Sequence, residues 1–329
     1  MRRNIEAYNK YKLKMQLLGK SDFEYEIDEV NDRVSIVRYI DGSSDGEVTI
    51  QGFVTDIQRG AFVGVTKSLK VKMDNIQIRS LASVFANYWG TKLDLSEFNT
   101  SHVHGMHNMF QDCSKLTELD LSGFDTSNVG SMEFMFCGCR MLEKLDVSSF
   151  DTSHVESMEC MFSTCKNLEE LDISNFNTRH VTDMDSMFLG CKKLGRLNVS
   201  SFDTSHVENM SNMFNGCESL KELDVNSFDT SHVSGIQYMF SNCKNLEELD
   251  VSNFDTGEVK TMGFMFSGCT NLRKVDLSHF NTSKTRSLRY MFYWCEKLEE
   301  LSLNGCSKTS IGDIKCALEE RVNNVRLYY

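Results

Sequence analysis

The sequence repeats with a fixed period of 26 residues, and this period restricts the chain to a stacked architecture. Each unit approximates L-D-L-S-x-F-D-T-S-x-V-x-x-M-x-x-M-F-x-x-C-x-x-L-x-x. Its first apolar residue recurs without insertion or deletion at Leu93, Leu119, Leu145, Leu171, Leu197, Leu223, Leu249, Val275 and Leu301. A single unit of this size cannot bury its own apolar face, whereas stacked units bury it in one continuous core. The sequence therefore predicts a solenoid.

Each repeat divides into a strand, a turn and a second apolar segment. Leu119 and Leu121 alternate about the polar Asp120, which is typical of a strand with one buried face. The D-T-S motif that follows predicts a turn in which side chains bond the local backbone. The next apolar residues are spaced like one face of a short helix: Val129, Met132, Met135, Phe136 and Cys139. A residue suited to a left-handed helix end precedes the cysteine in several repeats: Gly138, Gly190, Gly216, Asn242 and Gly268.

The pattern weakens towards both ends of the chain, which divides it into three parts. We expect an N-terminal cap with a divergent repeat at 1–66 and a C-terminal cap at 302–329. Between them, residues 67–301 hold a degenerate first coil at 67–92 and eight full repeats at 93–300. In the C-terminal cap, a helix is predicted from Ser310 to Val322 and a last strand from Asn324 to Tyr329.

Composition and charge exclude several classes of protein. The formal net charge of −12 argues against nucleic-acid binding, which requires a basic surface. No run approaches the roughly 18 apolar residues of a transmembrane helix. The segment Met1 to Lys20 is basic and lacks an apolar core of secretory length, so it does not predict a signal peptide.

The repeat core, F-D-T-S-x-V-x-x-M-x-x-M-F-x-x-C, resembles that of the BspA-like class of leucine-rich-repeat bacterial surface proteins. The segment from Val48 to Val65 is similar to a related repeat of the same class. The resemblance covers roughly residues 46–305. It implies an α/β fold, a right-handed leucine-rich-repeat solenoid with a parallel β-sheet on the concave face and short helices on the convex face. It also implies a non-enzymatic role in adhesion at the cell surface or in a secreted form, whereas the absence of a signal peptide leaves a cytoplasmic location open.

A row of aspartates at the outward strand position is the candidate partner-binding site. Its members, here called the Asp row, are Asp94, Asp120, Asp146, Asp172, Asp224, Asp250 and Asp276, with Asn198 and Ser302 completing the column. Like charges stacked on a sheet repel one another, so the row is either a solvated face tolerated by a stable core or a surface kept for a ligand. Because the row is uniform, it suits a repetitive protein or glycan ligand, with weak divalent-cation binding as a further possibility.

The cysteines and histidines offer weaker candidates. Eight cysteines share one repeat position and are predicted to be buried apolar side chains, without a disulfide or metal ladder: Cys113, Cys139, Cys165, Cys191, Cys217, Cys243, Cys269 and Cys295. So many free thiols favour a reducing setting. His102, His104 and His107 form a weak metal candidate.

Nothing in the sequence indicates catalysis or a cofactor. No Gly-rich phosphate loop, G-x-S-x-G elbow or H-E-x-x-H motif is present, and nearly every polar residue is repeated from unit to unit. The sequence therefore predicts a binding module, with surface adhesion as the first hypothesis and an intracellular scaffold or inhibitor-like solenoid as the alternative.

Overall fold

The computed structural model describes residues 22–28, 31, 33–40, 46–50, 54–73, 78–286, 288–319 and 325–329. The segment Met1 to Lys20 and the last residues of the helix predicted to reach Val322 lie outside these ranges. Within them, ten strands and one helix are present: β1 Phe23–Asp28, β2 Arg33–Tyr39, β3 Glu47–Ile50, β4 Asp56–Ile57, β5 Leu69–Met73, β6 Lys92–Asp94, β7 Glu118–Asp120, β8 Lys274–Asp276, β9 Glu300–Ser302, α1 Lys308–Glu319 and β10 Arg326–Tyr328.

The chain forms a parallel solenoid of about ten turns, in which the 26-residue period sets the register. Leu93 pairs with Leu119, and Val275 pairs with Leu301, each on adjacent parallel strands. Two short parallel sheets result, with strand orders β3-β5-β6-β7 and β10-β9-β8. The prediction of identical coils stacked in register is confirmed.

The predicted sheet is interrupted in the middle of the solenoid. Between β7 and β8 the structure assigns no strand, and the coils there pair on this side only at the isolated bridges Lys144↔Glu170 and Glu248↔Lys274. The predicted parallel β-sheet is therefore present at the two ends of the repeat stack and is replaced by isolated bridges between them.

The second apolar segment of each repeat is a series of tight turns and not a helix. In the second repeat, Met135 N–H donates to the Met132 carbonyl at 3.2 Å, and Cys139 N–H donates to the Phe136 carbonyl at 3.1 Å. The residue directly before the second methionine position has left-handed backbone, as in Phe134 with φ of 55°. The residue before the cysteine is left-handed as well, as in Gly138 with φ of 79°. The predicted left-handed residue is thus present, but it joins turns instead of ending a helix.

These turns carry the hydrogen bonds that hold the stack together. Met132, Phe134, Phe136 and Gly138 each donate a backbone N–H to the carbonyl 25 residues ahead, at 2.8–3.3 Å. Parallel bridges connect the same side of successive coils without interruption, at Ser80↔Gly105↔Ser131↔Ser157↔Asp183↔Asn209↔Gly235↔Thr261. We call the outward surface of this segment, residues 130–138 and their equivalents, the turn face. The opposite surface, which carries the Asp row, is the strand face.

A threonine of the D-T-S motif links neighbouring coils at the edge between the two faces. The Thr126 hydroxyl donates to the Asp151 carbonyl at 2.9 Å and accepts the Asp151 N–H at 2.8 Å. Thr126 is 1% exposed, so water does not reach these bonds. Thr100, Thr152, Thr204 and Thr256 make the same pair of bonds. At this edge a side chain therefore replaces direct pairing between backbones.

The distance between coils increases from the turn face towards the strand face. Nearly parallel rings at equivalent positions measure this distance. On the turn face, Tyr238 and Phe264 have ring centroids 4.7 Å apart. In the core behind it, Phe136 and Phe162 are 5.6 Å apart, and beside the strand Phe124 and Phe150 are 6.4 Å apart. The rings on the turn face are therefore more closely spaced than the rings in the core and beside the strand. The short helices predicted for the face opposite the strands are not found in the described part of the repeats, where that segment consists of turns.

The core and the two ends complete the fold. Methionine, phenylalanine and cysteine columns fill the interior and are almost wholly buried, as predicted. At the N-terminal end, β1 pairs antiparallel with β2, which in turn pairs with β4. At the C-terminal end, α1 begins at Lys308, two residues before the predicted start at Ser310, and β10 pairs with β9. The boundaries of the three predicted parts stay a prediction.

Candidate functional site

The Asp row lies along the strand face, and each of its carboxylates closes a local turn. Asp146 Oδ1 accepts the backbone N–H of Ser148 at 2.9 Å, and Asp172 Oδ1 accepts that of Ser174 at 3.0 Å. The same bond, from the residue two positions ahead, recurs at Asp94, Asp120, Asp224, Asp250 and Asp276. Asn198 makes it too, through its amide oxygen and the Ser200 N–H. The aspartates therefore close turns, and this structural role accounts for their recurrence in nearly every repeat.

These hydrogen bonds stabilise the charged form of the carboxylates. Bonds from the Ser148 side chain and backbone lower the pKa of Asp146, and bonds from Ser174 lower the pKa of Asp172. Most of the row is exposed, and only Asp94 and Asp276 are half-buried. The row is thus an ionised, solvated strip near neutral pH.

Lysines of the strand face bond to glutamates in neighbouring coils. Lys92 contacts Glu118 at 2.7 Å, and Lys144 contacts Glu170 at 3.6 Å. In the first coils Lys70 also reaches Asp94, at 3.4 Å. The side chains of the first two pairs are largely exposed and those of Lys70 and Asp94 are partly exposed, so each pair contributes only about 0–1 kcal/mol. They offset part of the negative charge of this face.

A shallow cleft lies on the strand face within the interrupted part of the sheet. It has a volume of about 740 Å³ and lies between the sixth and seventh repeats. Asp224 and Asp250 of the Asp row line it, together with Leu223, Leu249 and Lys221. The cleft brings two row carboxylates, a lysine and a little apolar surface to one opening.

The eight repeat cysteines are free, buried and hydrogen-bonded. Cys165 Sγ donates to the Phe136 carbonyl of the preceding coil at 3.1 Å, and the other seven make the equivalent bond. Burial raises the pKa of Cys217 to about 12. The prediction of buried apolar side chains instead of a disulfide ladder is confirmed for this column, and the thiols contribute bonds that sequence reasoning missed.

The histidine candidates do not converge. His104 Nδ1 lies 2.9 Å from the His102 carbonyl oxygen, and His107 Nε2 lies 3.3 Å from a guanidinium nitrogen of Arg59. Among the described residues, no group of three or more His, Cys, Asp or Glu side chains is arranged to hold a metal ion.

The turn face carries side chains that sequence analysis did not single out, because it assigned this segment to a helix. At the position of Glu133 the successive repeats have His107, Glu133, Glu159, Asp185, Ser211, Gln237, Gly263 and Arg289. At the position of Phe134 they have Asn108, Phe134, Cys160, Ser186, Asn212, Tyr238, Phe264 and Tyr290. This variation from repeat to repeat, against the uniform strand face, is a signal visible in the sequence alone.

Comparison with known proteins identifies the family. A family model described as "Mycoplasma protein of unknown function, DUF285" matches residues 79–196, 156–250 and 220–310, which together run without a gap from 79 to 310. The chain belongs to this family of repeat proteins, and its resemblance to the BspA-like leucine-rich-repeat class is confirmed. No curated protein matches the sequence.

Three solved structures are similar to the chain at low identity. A leucine-rich-repeat protein of T. pallidum is 20% identical, with a TM-score of 0.39 over 68% of this chain and 88% of that one. A leucine-rich-repeat protein of Bacteroides ovatus is 14% identical, with a TM-score of 0.36 over 93% and 97% of the two chains. A leucine-rich cell-surface protein of Faecalibacterium prausnitzii is 16% identical, with a TM-score of 0.35 over 93% of each chain.

The described part of the chain contains no helix long and apolar enough to cross a membrane.

Proposed function

We propose that this chain is a non-enzymatic protein-binding solenoid that acts in adhesion at a bacterial surface. The observation that carries the proposal is the Asp row: ionised side chains repeat along the strand face with the period of the coils. A surface that repeats in this way suits a ligand that repeats as well, such as a polymeric glycan or a protein surface with regularly spaced basic groups. The resemblance to the BspA-like class supports the adhesive role.

Catalysis has no support in the arrangement of side chains. An active site requires a singular group of polar residues in a pocket, whereas the polar residues of the strand face recur in nearly every repeat. The shallow cleft beside Asp224 and Asp250 is lined by the same repeated residues. We therefore propose a binding role without a cofactor.

An intracellular scaffold is the second candidate, and one observation favours it. The repeat column alone contains eight free thiols, and free thiols persist best under reducing conditions. Fractionation of cells that make the native protein distinguishes the two locations: recovery with the envelope supports adhesion, and recovery with the cytosol supports the scaffold.

The test of the Asp row replaces three adjacent members, Asp120, Asp146 and Asp172, by asparagine. Asparagine keeps the oxygen that accepts the turn N–H, as Asn198 does in the native chain, so the change removes charge and leaves the turns intact. Binding is measured by biolayer interferometry to a panel of polymeric glycans, basic proteins and bacterial cell envelopes. We expect at least about 10-fold weaker binding to the surface that captures the native protein.

The matched control replaces Asp125, Asp151 and Asp203 of the D-T-S turn by asparagine. It removes the same charge from a different edge, at a position where Asn99 and Asn177 occur naturally. Loss of binding in the control as well would assign the effect to net charge. Unchanged binding of the row variant to every surface would remove the basis of the proposal. A rise in melting temperature with calcium, lost in the row variant, would reveal cation binding at the same strip.

A further inference from the structure

The composition of the turn face can specify one partner. Its coils are 4.7 and 5.0 Å apart at the aromatic positions, which is close to the spacing of paired strands. A shallow depression of about 460 Å³ lies on this face across the fourth to eighth repeats, with Asp183, Asp185 and Glu208 at one end and Lys260 and Arg286 at the other. Because its outward residues change from repeat to repeat, a ligand bound there has a defined register and direction, which the uniform strand face does not provide.

The central repeats of the turn face concentrate carboxylates without cationic partners. The six are Glu133, Glu156, Glu159, Asp183, Asp185 and Glu208. In the described part of the chain none of them forms an ion pair, in contrast to the lysine-glutamate pairs of the strand face. Partial burial and mutual repulsion raise the pKa of Glu159 and of Asp183. Ligand cations would relieve this repulsion.

An aromatic ridge adjoins the acidic region along the stack. Tyr238 stacks on Phe264 and Phe264 stacks on Tyr290, with interplanar angles of 8° and 21°. Tyr290 is 41% exposed, and Trp294 beside it is 40% exposed. Aromatic side chains at this exposure are typical of the anchoring points of protein interfaces.

The backbone conformation at the ridge residues is unfavourable for aromatic side chains. Tyr238, Phe264 and Tyr290 have φ of 58°, 60° and 61°, in the left-handed region, where bulky side chains are unusual. The equivalent residues Asn108 and Asn212 have φ of 58° and 57°, and asparagine tolerates this conformation. The aromatic residues at these positions are thus not explained by the requirements of the turn.

We propose that the turn face binds an extended basic segment of a partner protein, with lysine or arginine side chains over the acidic repeats and an apolar side chain anchored on the aromatic ridge. Six coil spacings separate Glu133 from Tyr290, or roughly 29 Å at about 4.8 Å per coil. An extended peptide spans that distance with about nine residues. The proposal rests on the protein-binding function above and adds a second surface, distinct from the Asp row.

The test uses a synthetic twelve-residue peptide of alternating lysine and serine that ends in two leucines, measured by fluorescence anisotropy with the full chain. Phe264→Asn removes the ridge, and asparagine suits its left-handed backbone. Glu133→Gln with Glu159→Gln removes charge from the acidic repeats, since Gln237 holds this position naturally. We expect each variant to bind at least about 10-fold more weakly. Added salt should weaken the native complex.

Three controls separate the possible outcomes. A peptide with glutamate in place of lysine should not bind, and a peptide without leucines should bind Phe264→Asn and the native chain equally. The Asp row variant should lose only the part of the affinity that the strand face contributes and should bind the peptide with leucines more tightly than either turn-face variant does, so failure at one face is distinguishable from failure at the other. The proposal is overturned if the turn-face variants bind normally, if the acidic peptide binds equally well, or if no basic peptide binds at low salt. It is also overturned if the native chain self-associates through this face and Phe264→Asn abolishes that association.

Discussion

The buried threonine of the D-T-S motif should stabilise the stack through its hydroxyl and not through its methyl group. Thr126 is almost wholly buried and makes two hydrogen bonds to the backbone of Asp151 in the next coil. Thr126→Val preserves the shape of the side chain but removes both bonds. Thr126→Ser preserves the hydroxyl but removes a buried methyl group. The pair of variants therefore separates the two contributions at one position.

The expected magnitudes follow from these contacts. Each hydrogen bond contributes about 0.5–1.5 kcal/mol net, and an unsatisfied buried backbone group costs about 1–3 kcal/mol. Because the Asp151 N–H and carbonyl both lose a partner, Thr126→Val should lower the free energy of unfolding by about 2–3 kcal/mol. Loss of one buried methyl group costs about 1 kcal/mol, so Thr126→Ser should be the milder change.

Urea denaturation followed by circular dichroism measures the difference, with amide hydrogen exchange near Asp151 as a local readout. A solenoid of stacked repeats does not always unfold in one step, so the local measurement is needed beside the global one. We expect exchange to accelerate at Asp151 in the valine variant and to change little in the serine variant. The reverse order of stability, with serine worse than valine, would refute the role assigned to the hydroxyl.

Further predictions concern the thiols, the Asp row and the phenylalanine column. Burial raises the pKa of Cys217 and Cys269 to about 12 from a usual 9.0. The free energy of unfolding should therefore be independent of these thiols below about pH 9 and should fall by up to 1.36 kcal/mol per thiol and pH unit as the pH rises from 9 towards 12. Urea denaturation at a series of pH values measures this fall. Iodoacetamide should accordingly leave Cys217 unmodified in the native protein and alkylate it after unfolding; rapid native labelling would contradict its burial. Asp172→Ala should cost about 1 kcal/mol in urea denaturation through loss of its turn bond, whereas Asp172→Asn should cost less than about 0.5 kcal/mol; equal costs would show that charge matters more than the bond. Phe188→Ala should cost about 3–5 kcal/mol by the same measurement, because it leaves a cavity between two stacked rings; a cost below about 1 kcal/mol would mean that the coils close the gap.

The sequence predicts the stacking of this protein much better than it predicts the path of each coil. The 26-residue period is enough to place Leu93 beside Leu119, because a solenoid with a fixed period has only one register in which equivalent residues meet. The same period identifies the buried cysteine column. Period alone does not say which backbone groups pair between coils, since that depends on local conformation.

The error about the helix has a physical origin in the spacing of inward residues. Met132 and Met135 are three residues apart both on a helix and across a tight turn, so apolar spacing does not separate the two. The distinguishing signal is a second position suited to left-handed backbone, four residues before Gly138. It is asparagine or serine in Asn108, Ser186 and Asn212, but aromatic in other repeats, which conceals the pattern. The Asp row was recognised correctly as an outward column, but its turn bonds were not foreseen.

The absence of helices from the described repeats also affects the spacing of the coils, and with it the location of a specific binding surface. Packed helices lie 8–10 Å apart, about twice the spacing of paired strands, so helices on one side bend a solenoid towards its strands. Here the side opposite the strands consists of turns joined by backbone hydrogen bonds, and its outer aromatic rings are 4.7–5.0 Å apart. Threonine side chains inserted between coils widen the adjoining edge, where the Phe124 and Phe150 rings are 6.4 Å apart. The turn face, whose coils are spaced like paired strands, is the one whose residues differ between repeats, so a segment that binds there contacts several unlike coils at once.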